Sequence, residues 1–100
     1  MKTIMVRYKT KPDRADDNEA LVRAVFAQLK TNAPAGIRYA TFRLEDGVSF
    51  VHIATVDSTD DNPLVKLPAF QAFQRELKQR CLEMPLITEL SPIGSYGVSP

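Results

Sequence analysis

The chain has 100 residues, 44% of them hydrophobic and 25% charged, and a formal net charge of +1. This is the length and mix of one ordinary folded domain, so residues 1–100 read as a single unit with a limited core. Lys2, Arg7, Lys9, Lys11, Arg14 and Arg23 are interleaved with Asp13, Asp16, Asp17 and Glu19, which excludes the basic stripe of a nucleic-acid binder.

Thr3 to Lys9 alternates, with Ile4, Val6 and Tyr8 on one face and Thr3, Met5, Arg7 and Lys9 on the other, and this period of two predicts a strand. Lys11-Pro12-Asp13 stops it. Asp16 or Asp17 is the expected helix cap, and Asp17 and Glu19 suit the positive end of the helix that follows. Leu21, Val22, Val25, Phe26, Leu29 and Ala33 then fall on one helical stripe, which Ala33-Pro34-Ala35-Gly36 ends.

Ile37 to Val56 predicts a hairpin about Asp46-Gly47, a dipeptide suited to a two-residue type I′ turn. That turn pairs Arg43 with Phe50, Thr41 with His52 and Tyr39 with Ala54 on one face. On the other it pairs Leu44 with Ser49, Phe42 with Val51 and Ala40 with Ile53. Asp57 to Pro63 is a polar linker, and Leu64 to Leu67 is either a helical turn or loop. Pro68 suits a first helical position. Phe70, Phe73, Leu77 and Cys81 continue a second helical stripe, which Pro85 is expected to end. Leu86 to Leu90 reads as a short strand, Pro92 as a mark of an edge or bulge, and residues 97–100 as a tail.

The order βαββαβ predicts an α+β, ferredoxin-like domain: a four-stranded antiparallel sheet with two helices on one face. Leu44, Phe42, Val51, Ala40 and Ile53 are the expected helix-facing side of the hairpin. The mixed side, with Tyr39, Thr41, Arg43, Phe50 and His52, is then left open. An exposed face of that kind marks an interaction surface, and a homodimer closed through the sheet is the simplest expectation.

The single cysteine, Cys81, excludes an internal disulfide and suits a reducing compartment. Ile4-Met5-Val6, ended by Arg7, is too short for a signal peptide, and no segment nears the roughly 20 apolar residues of a membrane span. A cytoplasmic protein without membrane or nucleic-acid partners is expected. One histidine and one cysteine make no spaced metal cluster, and glycines dispersed at 36, 47, 94 and 97 make no phosphate loop.

The opening Ile4-Met5-Val6-Arg7-Tyr8-Lys9 with Lys11-Pro12, the hairpin from Tyr39 to Thr55, and Ala69-Phe70-Gln71-Ala72-Phe73 resemble the dimeric α/β-barrel superfamily. The resemblance is to the small proteins similar to antibiotic biosynthesis monooxygenases, and in layout it covers most of the chain. It implies two sheets facing each other, with ligands between sheet and helices or inside the barrel. It also implies a cofactor-independent oxygenation of an aromatic or quinone-like molecule. The chain has no tryptophan, and Asn62-Pro63-Leu64-Val65-Lys66-Leu67 has no histidine, which argues against haem breakdown.

His52, the only histidine, is the natural general base; the competing reading is a polar residue satisfied at the dimer interface. Tyr39, with Tyr8 and Tyr96 behind it, could orient a phenol or quinone, or be a core-edge residue whose hydroxyl reaches water. Arg7 and Arg43 could clamp a carboxylate, or pair with Glu45, Glu89 or a partner subunit. Thr41 and Phe50 complete the candidate ligand-binding set. Three functions are open on these residues: a small monooxygenase-like enzyme, a non-catalytic small-molecule-binding or stress-related module, and a structural dimer.

Overall fold

The structure is a computed structural model describing residues 1–97; the rest of the predicted tail, residues 98–100, lies outside them. Seven elements follow in order: β1 (Lys2–Thr10), α1 (Ala15–Asn32), β2 (Ile37–Arg43), β3 (Ser49–Val56), α2 (Pro68–Arg75), α3 (Leu77–Arg80) and β4 (Cys81–Leu90). The strands form one antiparallel sheet in the order β2-β3-β1-β4, with the helices on one face. This is the predicted ferredoxin-like arrangement.

A 3-10 turn at Pro12–Arg14 leads into α1, whose N-cap is Arg14 without a side-chain hydrogen bond. Asp16 and Asp17 therefore lie in the first turn instead of capping it, where carboxylates still favour the helix dipole. Ala15, Asn18, Val22 and Val25 are the buried stripe. The helix stops at Ala33, which is left-handed (φ 43°) and returns its N–H to the Leu29 carbonyl at 2.8 Å. At the start of α2, Pro68 takes the first helical position, and the free N–H of Ala69 donates to Gln28 Oε1 of α1 at 2.9 Å.

The hairpin register is the predicted one: Arg43 pairs with Phe50, Thr41 with His52, Tyr39 with Ala54, Phe42 with Val51 and Ala40 with Ile53. The turn is not type I′, because Gly47 (φ 78°) has positive φ and Asp46 does not. Gly47 donates its N–H to the Leu44 carbonyl at 3.0 Å. The Asp46 carboxylate accepts from the N–H groups of Val48 and Ser49 and from Ser49 Oγ, at 3.0, 2.8 and 2.6 Å. The Ser49 hydroxyl first, then the two N–H groups, push the Asp46 carboxyl down to about 2. A side chain thus closes the loop while the strand pairing stays the same.

The faces are the reverse of the expectation. Tyr8, Phe50 and His52 are buried beneath the helices, with Tyr39 partly buried beside them, while Phe42 on the other face is 55% exposed. The packing leaves no ambiguity: Phe26 of α1 stacks on Tyr39, with ring centroids 5.1 Å apart, and Phe73 of α2 lies 5.4 Å from the His52 ring. The strand β1 explains the choice. Its pairing with β3 sets Tyr8 beside Phe50, Val6 beside His52 and Ile4 beside Ala54, so the apolar side of β1 carries the mixed side of the hairpin inward.

The second helical stripe also ends sooner than expected. The helix breaks at Glu76 (φ −126°, ψ 25°) and resumes only for the single turn of α3. Cys81 is the first residue of β4. Pro85 ends no helix; it sits inside the edge strand, where the pairing jumps from Arg7↔Leu86 to Lys9↔Glu83. Two residues there oppose one, a bulge, which is where an edge strand tolerates proline. Leu64–Leu67 begins as a 3-10 turn (Pro63–Lys66), and no strand follows Leu90 among the described residues.

Candidate functional site

The buried face carries a continuous line of polar groups through an otherwise aromatic core. His52 on β3 has both ring nitrogens engaged. Nε2 meets the Tyr8 hydroxyl at 2.7 Å, and Nδ1 meets the Tyr39 hydroxyl at 2.5 Å and Thr41 Oγ1 at 3.1 Å. Asn18 donates from Nδ2 to the Tyr8 oxygen at 2.8 Å, and Arg80 donates from Nε to Asn18 Oδ1 at 3.0 Å. No buried side-chain nitrogen or oxygen among the described residues lacks a hydrogen-bond partner, the condition under which such a network is tolerated in a core.

Each member is placed by its element. Tyr8, His52, Thr41 and Tyr39 come from three adjacent strands on one face, and the register sets Thr41 directly opposite His52. Asn18 occupies the inward stripe one turn before Val22. Arg80 follows the helix break and donates from Nη2 to the Phe73 carbonyl at 2.7 Å, with its guanidinium 5.4 Å over the Phe73 ring.

Burial keeps the whole line neutral at pH 7, apart from Arg80. It pushes the His52 imidazole down to about 4 and the Tyr39 phenol up to about 12. The Tyr8 phenol is raised further, again chiefly by burial, against a smaller opposing effect of the Asn18 hydrogen bond. His52 therefore stands as a neutral imidazole with one N–H and one lone pair.

Beside this line lies a cavity of about 410 Å³, walled by Tyr8, Tyr39 and His52, with Asn62, Gln74 and Lys78 as its other polar lining and Ile4, Val6, Leu64, Phe70, Phe73, Leu77 and Ile87 making up most of the rest. A mostly apolar cleft with a few convergent polar groups, in this size range, is the usual form of a small-molecule site. Of the candidate residues, His52 and Tyr39 line it. Thr41 reaches it only through His52 and, with Phe50 and Arg43, borders a separate, smaller cleft against α1. Phe50 is a core residue, stacked on Tyr8 at 5.6 Å.

Arg43 is held at the end of the hairpin. Its Nη1 reaches Asp16 at 3.1 Å and Glu19 at 2.9 Å, and its Nε and Nη2 donate to the Gly47 carbonyl. The hydrogen bonds from Arg43 and then Arg23 hold the Glu19 carboxyl below its usual range. The expected partners Glu45 and Glu89 are not used by Arg43. Arg7 lies on the opposite face of the sheet, exposed, between Val51 and Leu86 in the pairing. Tyr96 is 99% exposed and does not line the cavity.

Asn18 and Arg80 were absent from the candidates. An asparagine at an inward position of the α1 stripe was the available signal for the first; Arg80 had none, because the stripe places it only once the helix break is known. Cys81 is buried, and burial raises its thiol above the ordinary value, so it is a small core residue. Among the described residues there is no cluster of three His, Cys, Asp or Glu side chains able to hold a metal, and no helix is long and apolar enough to cross a membrane.

No family model matches the chain, and no curated protein matches it. Solved structures do. The Mycobacterium tuberculosis protein Rv0793 superposes with a TM-score of 0.73 at 20% identity, over 94% of this chain and 96% of that one. A crystal structure described as an antibiotic biosynthesis monooxygenase gives 0.73 at 15% identity, over 94% and 100%. SnoaB, a cofactor-independent oxygenase from Streptomyces nogalater, gives 0.62 at 19% identity, over 97% of both chains. Along nearly its whole length, then, the chain has the ferredoxin-like fold of antibiotic biosynthesis monooxygenase-like proteins.

Proposed function

We propose that this protein is a cofactor-independent, monooxygenase-like enzyme that oxidises an aromatic, quinone-like ketone held in the cavity between sheet and α2. The observation that carries this reading is the neutral Tyr8–His52–Tyr39 line in the wall of an apolar cavity. A substrate whose ring methylene is flanked by aromatic rings and conjugated to a carbonyl supplies its own electrons. Loss of a methylene proton to solvent moves negative charge onto the carbonyl oxygen, and the carbanion and O₂, with that proton returned, then give a new carbonyl and one water. Both oxygen atoms are accounted for and no external reductant is needed.

The chain's part is to hold the ketone between Phe70, Phe73 and Leu77 and to place a tyrosine hydroxyl on the oxygen where charge develops. With both ring nitrogens occupied by hydroxyl partners, His52 acts through the tyrosines and is a positioning residue. Oxygen uptake with anthrone and hydroxylated anthrones, in chelator, tests the reading. Uptake with one ¹⁸O atom entering the product is expected, and Tyr39→Phe should lower the rate about 100-fold, the usual effect of removing one such donor. Anthrone that binds without oxygen uptake would leave the alternative, a non-catalytic binding module.

We infer further that the protein works as a homodimer closed through the open face of the sheet. Phe42 is 55% and Leu86 67% exposed there, alongside Met5, Val51 and Ile53 in the pairing and with Arg7 between Val51 and Leu86, and exposed apolar side chains grouped in this way favour association. Light scattering should give twice the chain mass, and Phe42→Asp should give the mass of one chain with the fold retained. A single-chain mass for the unaltered protein would overturn this inference.

A further inference from the structure

The line from Arg80 to Tyr39 has a direction, and the direction decides what the cavity is offered. A guanidinium only donates. Arg80 is 1% exposed, is held by the Phe73 carbonyl, and gives its Nε–H to Asn18 Oδ1. The Asn18 amide is thereby fixed with its oxygen toward Arg80 and its NH₂ toward Tyr8. The Tyr8 oxygen must accept at that contact.

Beyond Tyr8 there are three protons, on Tyr8, His52 and Tyr39, and two contacts joining the three groups. One hydroxyl proton is left over. If His52 carries its proton on Nε2, the surplus belongs to Tyr8, which also borders the cavity but is 2% exposed and already has Asn18 and His52 against its oxygen. If His52 carries its proton on Nδ1, Tyr8 donates to Nε2. Nδ1–H is then shared between the Tyr39 oxygen and Thr41 Oγ1, and the surplus belongs to Tyr39, only partly buried and in the cavity wall. A free hydroxyl proton belongs where a partner can reach it.

We propose that Arg80 and Asn18 lock His52 in the Nδ1–H tautomer and so present the Tyr39 hydroxyl to the cavity as a donor, selecting ligands that offer an oxygen acceptor. As a statement of ligand class this rests on the small-molecule reading above; as a statement about the tautomer it does not. Arg80 and Asn18 are positioning residues that never touch the ligand.

The test begins with ligand-free protein carrying ¹⁵N-histidine, observed by long-range ¹H–¹⁵N correlation at neutral pH. Nδ1 should resonate as the protonated nitrogen and Nε2 as the acceptor, opposite to the preference of a free histidine side chain. Asn18→Asp then reverses the line. The introduced carboxylate pairs with Arg80 and can only accept, so Tyr8 donates to it, Nε2–H donates to Tyr8, and Tyr39 donates to Nδ1. The tautomer should invert, and the affinity for 1,4-naphthoquinone, which only accepts, should fall about tenfold relative to that for 1-naphthol, which also donates.

An Nε2–H signal in the unaltered protein overturns the proposal, and that measurement needs no variant to fold. So does a folded Asn18→Asp variant with the tautomer and the ligand preference unchanged. If the tautomer behaves as expected while anthrones give no oxygen uptake, the oxygenase reading fails and this one stands.

Discussion

On the helix-covered face of the sheet Tyr8, Phe50 and His52 are 2%, 1% and 4% exposed, whereas on the other face Phe42 and Leu86 are 55% and 67% exposed. Along the hairpin both faces mix polar and apolar residues: Tyr39, Thr41, Arg43 and His52 accompany Ile37, Phe50 and Ala54 inside, and Arg38, Ser49 and Thr55 accompany Ala40, Phe42, Val51 and Ile53 outside. Hydrophobicity along the hairpin alone does not decide between them. What separates the faces is satisfaction. His52, Tyr8, Tyr39 and Thr41 answer one another's hydrogen-bonding needs, and Arg43 meets two carboxylates at the rim, so little is lost by enclosing them. The outer side is the face on which the proposed homodimer would close.

Substituting one phenylalanine on each face gives the largest contrast. Phe50→Ala should cost about 3–5 kcal/mol in urea unfolding, as for a fully enclosed aromatic. Phe42→Ala should leave the stability of a single chain within about 0.5 kcal/mol while making the melting temperature less dependent on protein concentration, because fewer chains are paired. Equal losses at both positions would erase the distinction.

Acid gives the next effect. Folding depresses the His52 pKa from 6.5 to about 4, so between these values the unfolded chain takes up a proton that the folded chain refuses. The contribution is complete above pH 6.5 and is lost as pH falls toward 4, about 3 kcal/mol in all. Unfolding free energies between pH 7 and 4 should show this slope, and His52→Gln should flatten it. A histidine on the open face would give no such slope. The smallest effect is at the rim: Arg43→Gln should bring a minor fall in melting temperature that disappears in high salt, as for exposed ion pairs.

Much of the architecture was legible because it rests on local chemistry. The alternation of Thr3 to Lys9, the Asp46-Gly47 loop and the prolines that bound the helices gave the element order and the residue-by-residue hairpin pairing now seen. The choice of face was less accessible, since both sides of the hairpin are largely apolar and burial is decided by what lies beside them. The deciding signal was in β1, where Ile4, Val6 and Tyr8 oppose Ala54, His52 and Phe50. The segment from Cys81 to Pro85 was less legible, because a helical stripe through Cys81 and a proline five residues before the end of β4 mimic a helix terminus, whereas the helix breaks at Glu76 and the strand starts at Cys81. In the site, His52 and Tyr39 carried recognisable chemistry, whereas Asn18 and Arg80 gain a role only when α1 and the end of α3 meet beside Tyr8.

The bulge in β4 bears on how copies of this protein can combine. A ten-residue strand on the rim of a sheet is a template on which another chain's strand can be laid, and repeated addition of that kind has no natural end. Here the rim is broken near its middle: Pro85 has no N–H to give, and the backbone around it is thrown out of register with β1. Rim-to-rim growth into ribbons is interrupted at that point. For the proposed homodimer this leaves the open face of the sheet as the surface for association, where a twofold pair would close on itself and growth would stop.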